Sequence, residues 1–252
     1  MSAEAYIPSG GLAGKVKRQL ARRLARAPLA IPASQFVSFT FDDFPKSAVD
    51  TGANQLEKRG WRGTWYAATG FMNGDTHHGA MFDAGDIARL ADAGHEIACH
   101  TTTHLDAASA PLAVTLEDAS ANTQSLESLG VAITNFAFPY GEATPAVKRA
   151  LGARYDTLRG VQPGINRDGA DRHLLKAVGI DGGDAGVDRA LGWLDEMGHE
   201  PGWLIYYIHD VQQDPTEWGC TPDQLARVCE AVARSGVEVL PVKSVLERLA
   251  SA

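Results

Sequence analysis

Four short polar clusters carry the residue types that could perform hydrolytic chemistry, and each follows an apolar run. Val37–Phe41 leads into Asp42 and Asp43, and Glu96–Cys99 leads into His100-Thr-Thr-Thr-His104. Phe136–Phe138 leads into Pro139, Tyr140 and Gly141, and Leu204–Ile208 leads into His209. Histidines four apart share one face of a helical turn and can grip a single ion. A carboxylate from another strand end supplies a third ligand and leaves a position open for water, as in catalytic zinc sites. A cation held that way lowers the pKa of water from about 15.7 to about 7. In an adjacent Asp pair, one carboxylate can bind the ion while the other takes the proton of the water. A histidine on the same rim suits the acid that protonates a departing amine.

Each cluster also has an ordinary structural explanation. Asp42-Asp43 before Pro45 can be a turn, two loop histidines can be idle, and His209 can be a core histidine bonded to backbone. What favours chemistry is position. If the apolar runs are parallel strands, their C-terminal ends share one rim, and the four clusters converge there.

The rest of the chain supports that condition. Apolar runs at Phe36–Phe41, Gly63–Ala67, Glu96–Cys99, Asn135–Phe138, Tyr155–Leu158, Leu174–Val178, Leu204–Ile208 and Val237–Leu240 read as strands. Helical stretches lie between them, near 47–59, 84–93, 111–129, 144–151, 187–197, 222–235 and 242–250. Ser47 and Thr221-Pro222 look like helix starts, while Gly60, Gly94, Gly130 and Gly236 stand where a helix ends in a left-handed residue. Strand–helix alternation of this length predicts an α/β fold, a (β/α) barrel with helices outside. One domain over 36–252 is expected, preceded by a basic segment at 1–35.

In that segment Lys15, Lys17, Arg18, Arg22, Arg23 and Arg26 face only Glu4, and Leu12, Val16, Leu20, Leu24 and Leu29 recur near helical spacing. An amphipathic basic helix is expected, packed outside the main domain, with peripheral association to an anionic surface as the other reading. The chain has 252 residues and a net charge of −8, which argues against nucleic acid as a partner. No apolar stretch is long enough for a transmembrane helix, and no secretory pattern is visible, so the expected location is the cytoplasm. Cys99, Cys220 and Cys229 make no CxxC pair and are expected as reduced thiols.

Residues 36–245 resemble the polysaccharide deacetylases of carbohydrate esterase family 4, the NodB-homology domain. Thr40-Phe41-Asp42-Asp43 is similar to that family's first motif, His100-Thr-x-x-His104 to its second, Phe138-Pro139-Tyr140-Gly141 to its third, and His209 to its last. The resemblance implies a distorted (β/α)7-type barrel. It implies Asp42 as base, His209 as acid, and Asp43, His100 and His104 as ligands of a divalent metal, zinc first. It also implies that the backbone N–H of Tyr140 helps hold the oxyanion, and that the partner is an N-acetylated carbohydrate.

Three departures stand out. Asn135-Phe136-Ala137-Phe138 lacks the Arg that many relatives place before Pro-Tyr, and Lys176 or Arg172 is the expected substitute. Asp181 or Asp184 is expected beside His209. Tyr207 stands where relatives carry an aliphatic residue lining the acetate pocket, so Pro139, Tyr207 and Trp218 are the expected substrate-facing positions. Trp65, Tyr66, Trp203 and Tyr206 read as core, and the loop 70–82, with His77 and His78, as a solvated loop. Competing readings are hydrolysis of a small non-sugar amide, an Fe(II) oxygenase, and a metal-containing carbohydrate-binding module without catalysis.

Overall fold

The structure, a computed structural model, describes residues 12–251. Helix α1 (Leu12–Arg23) and the short β1 (Pro28–Leu29) lead into β2 (Phe36–Asp42). A π-helical run, Ala48–Ala53, continues into α2 (Asn54–Glu57), followed by β3 (Thr64–Ala67). The hairpin β4 (Asp75–Thr76) and β5 (Gly79–Ala80) precedes α3 (Ala84–Asp92) and β6 (Glu96–Cys99). Next come α4 (Leu112–Glu127), β7 (Asn135–Ala137), α5 (Pro145–Leu151), β8 (Thr157–Arg159) and β9 (Ala170–Asp171). The chain ends with β10 (Val178–Gly179), α6 (Gly183–His199), β11 (Trp203–Ile208), α7 (Pro222–Ser235), β12 (Glu238–Val239) and α8 (Val242–Ala250).

The main sheet has the order β10-β11-β2-β3-β6-β7-β8, with β12 pairing to β2 as well. All of its pairings are parallel. A parallel bridge between Arg159 and Leu175 draws the β8 edge toward the segment before β10, so the sheet curls into the expected distorted barrel. Each of the eight apolar runs read from the sequence supplies one strand of this sheet.

Alternation along the strands separates two cores. Val37, Phe39 and Phe41 of β2 face outward and pack with Ile87, Val187 and Leu225 of the surrounding helices. Phe36, Trp203 and Ile205 pack inside with Leu175, Val242 and Val245. Below the rim the interior is polar but satisfied. Glu96 accepts from Thr64 Oγ1 at 2.8 Å, from Asn135 Nδ2 at 2.6 Å and from the Lys243 backbone N–H at 2.8 Å. The Val242 N–H donates to Thr64 Oγ1 at 2.9 Å, so the first turn of α8 is capped by side chains of two strands.

Local signals hold in part. Thr221 accepts from the Gln224 N–H in a capping box with Pro222 behind it. Gly60, Gly94, Gly130 and Gly236 all have positive φ. Ser47, by contrast, makes no side-chain cap, because the chain there enters the π-helical run with Ser47 already in helical geometry. The three cysteines are buried and free, in agreement with the reduced thiols expected.

Helix α1 lies against α5. Gly14 and Ala21 are buried in that contact, and Arg18 reaches Glu142 at 3.2 Å. The last carbonyls of the helix are held by a fully buried lysine. Lys148 Nζ donates to Ala21 O at 2.6 Å and Leu24 O at 3.1 Å, and is balanced by Asp171 Oδ2 at 2.5 Å. Strands β1 and β9 pair antiparallel just beyond. Among the described residues no helix is long and apolar enough to cross a membrane. Truncating one partner of a buried pair leaves the other charge without compensation. Lys148→Ala is therefore expected to lower unfolding free energy by about 3–5 kcal/mol in urea titration.

Candidate active site

Strand register collects the polar strand ends. Tyr207 pairs with Thr40 and Ile208 with Phe41, so the next residues, His209 and Asp42, stand side by side on the inner rim. Asp42 pairs with Tyr66, and Ala137 pairs with Arg159 on the far side of His100. All seven residues of β2 are buried, the terminal carboxylate included.

Asp43, His100 and His104 offer one ligand atom each, all within 4.8 Å of one another. Asp43 Oδ2 lies 2.7 Å from His104 Nε2 and 3.9 Å from His100 Nε2. His100 Nδ1 is 2.9 Å from the carbonyl of Ala137 and donates to it, which leaves Nε2 with its lone pair toward Asp43. Burial pushes the His100 imidazole down to about 4, so it is neutral near pH 7, as a ligand must be. Burial raises the Asp43 carboxyl, but the His104 and His100 imidazoles outweigh it and hold the group well below the usual carboxylate range. Asp43 Oδ1 is buried without a hydrogen-bond partner among the described residues. A carboxylate and two imidazole nitrogens within 4.8 Å of one another, with one carboxylate oxygen lacking a partner among the described residues, fit a divalent cation.

The two histidines are not brought together by a helical turn, as their spacing suggested. Residues 100–104 form an irregular loop in which Thr101 has φ 63° and His104 φ 54°. Asp43, at φ 41°, and Tyr140, at φ 59°, are also left-handed. Four of the six non-glycine residues with positive φ among those described therefore border this one site. Such geometry costs on the order of 1–3 kcal/mol per residue, and it clusters where function overrides local preference.

Asp42 has a different partner. Its Oδ2 accepts from Arg159 Nη2 in a buried ion pair, and its Oδ1 has no partner among the described residues. The guanidinium lies between two rings, 4.9 Å from the centroid of Tyr66 and 5.7 Å from that of Tyr207. This charge comes from neither Lys176 nor Arg172. Arg172 donates to the Asp156 carbonyl at 2.7 Å, and Lys176 extends toward Ile165 O. Arg159 follows the apolar run Tyr155–Leu158 directly, so the strand-end signal that marked the other clusters also marks it.

His209 is half-buried beside Asp42, and burial lowers its proton affinity. Its Nδ1 donates to the Trp218 carbonyl at 3.2 Å. The ring of His78 stacks on it, with centroids 5.1 Å apart and planes 11° apart. His78 is held in turn by Asp210 Oδ1 at 3.0 Å and Thr216 Oγ1 at 3.1 Å. The loop 70–82 is thus not a solvated loop throughout: its hairpin delivers a buried histidine to the rim. Asp184 lies on the surface of α6 with Arg227, and Asp181 pairs with Arg189 at 2.7 Å, so the partner that the geometry gives His209 Nδ1 is the Trp218 carbonyl and not the aspartate expected beside it. Pro139 is buried, and the partly exposed Tyr140 ring meets His104 edge-on at 4.4 Å. Trp218 is exposed near His209, while Trp65, Tyr66, Trp203 and Tyr206 are fully buried, as read.

Residues 31–155 match the family model described as polysaccharide deacetylase. The fold is similar to the family 4 carbohydrate esterase domain of a multidomain xylanase from the hindgut metagenome of Trinervitermes trinervoides. The TM-score is 0.60 at 18% identity, covering 85% of this chain and 91% of that one. It is also similar to a family 4 acetyl xylan esterase from Clostridium thermocellum in complex with a cobalt ion. There the TM-score is 0.58 at 18% identity, over 84% and 91% of the chains. A family 4 pseudoenzyme from Bacillus anthracis aligns with TM-score 0.61 at 14% identity, over 88% and 70%. No curated protein matches the sequence.

A cation that binds only the folded chain raises its stability, by about 2.7 kcal/mol at a hundredfold excess over Kd. Added Zn²⁺ or Co²⁺ is expected to raise the melting temperature of the wild-type chain. Asp43→Asn should abolish that shift in the same thermal scan, because it removes the anionic ligand.

Proposed function

The chain belongs to the polysaccharide deacetylase family, and from this premise we propose that it hydrolyses the acetamido group of N-acetylated sugar units in a poly- or oligosaccharide, releasing acetate. The observation that carries the proposal is the pairing of Asp42. One carboxylate oxygen is paired with Arg159, and the other is buried without a partner among the described residues, next to the Asp43–His100–His104 cluster.

Asp43, His100 and His104 would hold the divalent metal, and one carboxylate with two imidazoles is a donor set that suits zinc. When bound, that cation supplies Lewis acidity and makes water easier to deprotonate. Asp42 Oδ1 takes the proton of the attacking water, and Arg159 holds the carboxylate in direction through its other oxygen. As the acyl carbon becomes tetrahedral, the Tyr140 backbone N–H offers a donor to the developing oxyanion; losing one such donor costs about 2.7–4 kcal/mol of transition-state stabilisation. His209 gives its Nε2 proton to the leaving amine, with the ring oriented by the Trp218 carbonyl through Nδ1. Its lowered proton affinity makes it a stronger acid once charged.

Trp218, which is exposed, is assigned to the sugar-facing mouth, whereas Pro139, expected there too, is buried. Tyr207 takes a different role from the aliphatic lining suggested by position, because its ring lies over Arg159. Arg159 also weakens the reading as a binding module without catalysis, since that reading drew on a missing arginine. A pure binder has no use for a clamped carboxylate with an imidazole beside it.

The test is acetate release from N-acetylglucosamine oligomers by the metal-loaded chain. Asp42→Asn should reduce turnover by about a hundred- to ten-thousand-fold and leave Zn²⁺ binding, measured by calorimetry, within a few-fold of wild type. Near-normal turnover in Asp42→Asn would overturn the assignment of the base. Release from small amides but from no glycan would move the substrate class.

A further inference from the structure

Among the described residues, large apolar side chains stand exposed at only seven positions, and three of them fall on one turn-spaced stripe. Val16 is 49% exposed, Leu20 45% and Leu24 48%. They follow the i, i+4, i+8 rule that normally marks the buried face of a helix. In this fold the helix docks by another face. At about 100° per residue, Gly14, Arg18 and Ala21 lie on a separate sector of the wheel. It is this sector that contacts the domain, through two small buried residues and the Arg18–Glu142 pair.

The orientation is fixed rather than incidental. Buried Lys148 holds the carbonyls of Ala21 and Leu24, Arg26 Nη2 donates to Gly169 O at 2.8 Å, and Ala27 N–H donates to Asp171 Oδ1 at 3.0 Å. These contacts anchor the helix at its C-terminal end and leave its apolar stripe facing away.

Charge decides what covers that stripe. Residues 12–26 contain six lysines and arginines and no acidic residue, although the whole chain is at −8. Arg22 and Arg23 are exposed, and Arg23 borders the stripe on the wheel. An apolar stripe edged by cations is complementary to an anionic lipid headgroup layer, where leucines enter the acyl boundary and guanidiniums meet phosphates. A purely anionic polymer would use the cations and have no use for the leucines. A second copy of this chain would bring cations against cations.

We propose that α1 is a docking surface for an anionic membrane, holding the catalytic domain at the lipid surface. The inference does not depend on the reaction catalysed.

The test is co-sedimentation of the full chain with vesicles of phosphatidylcholine, and with vesicles of equal parts phosphatidylcholine and phosphatidylglycerol. Binding is expected to the second kind only. The pair Leu20→Ser and Leu24→Ser should weaken it by at least about tenfold. Arg22→Glu with Arg23→Glu should do the same. Both variants should keep the wild-type circular dichroism, since all four substituted side chains are exposed. No binding to anionic vesicles would overturn the proposal. So would binding that survives the serine pair, which would mark adsorption by charge alone. A wild-type dimer in light scattering that becomes monomeric in the serine variant would assign the stripe to a second copy instead.

Discussion

Two adjacent carboxylates at the end of a fully buried strand must be compensated, and the rest of the site is arranged around that requirement. An ionised carboxylate is costly to remove from water unless it is paired. Asp42 and Asp43 receive different partners. Asp42 meets an arginine, which neither loses its proton nor coordinates a cation. Asp43 meets two imidazoles, which can do both. The two acids are therefore separated in chemistry by their counter-charges, although they are neighbours in sequence. The first is clamped by a guanidinium through one oxygen, and the second faces two imidazoles within reach of a shared ion.

The same requirement explains where strain and order are distributed. At the closed end of the barrel, Glu96 is also buried, yet strand side chains and the first turn of α8 satisfy it completely. The residues there adopt ordinary strand or helix geometry. At the open rim, left-handed backbone appears at Asp43, Thr101, His104 and Tyr140, and one oxygen each of Asp42 and Asp43 has no partner among the described residues. The polar network below is a stable floor. The strained loops above turn side chains inward that a relaxed chain would leave pointing elsewhere.

Much of this was legible in the sequence because strand periodicity and strand-end polarity are local signals. The run Val37–Phe41 followed by Asp42-Asp43, and Glu96–Cys99 followed by His100, place those residues before any coordinate is known. Arg159 carried the same signal, but its significance lies in Asp42, 117 residues away. An arginine ending a short strand looks ordinary until that partner is found. His78 was not legible at all, since only the folded hairpin brings it under His209 and against Asp210. The spacing of His100 and His104 predicted convergence correctly through an incorrect route. A four-residue interval suits a helical turn, but a loop with two left-handed residues achieves the same approach. On α1, amphipathicity identified a helix without saying which face would dock. Burying Gly14 and Ala21 allows close approach to α5, and the larger side chains are left outside.

The surroundings of the cluster also discriminate between chemistries that share two histidines and a carboxylate. An iron oxygenase needs open coordination positions, and nothing in that task calls for a second buried carboxylate with its own arginine. A carbohydrate-binding module needs stacking faces and hydrogen bonds, which Trp218 and neighbouring polar groups could provide alone. Hydrolysis of an amide needs a base for water and an acid for nitrogen, positioned so that they do not neutralise each other. Here Asp42 is tied to Arg159, and His209 is turned by the Trp218 carbonyl and stacked on His78. Each group is held by its own partner rather than by the other. That separation is what a water-activating base and an amine-protonating acid require, and it costs a fold buried charge that simple binding would not demand.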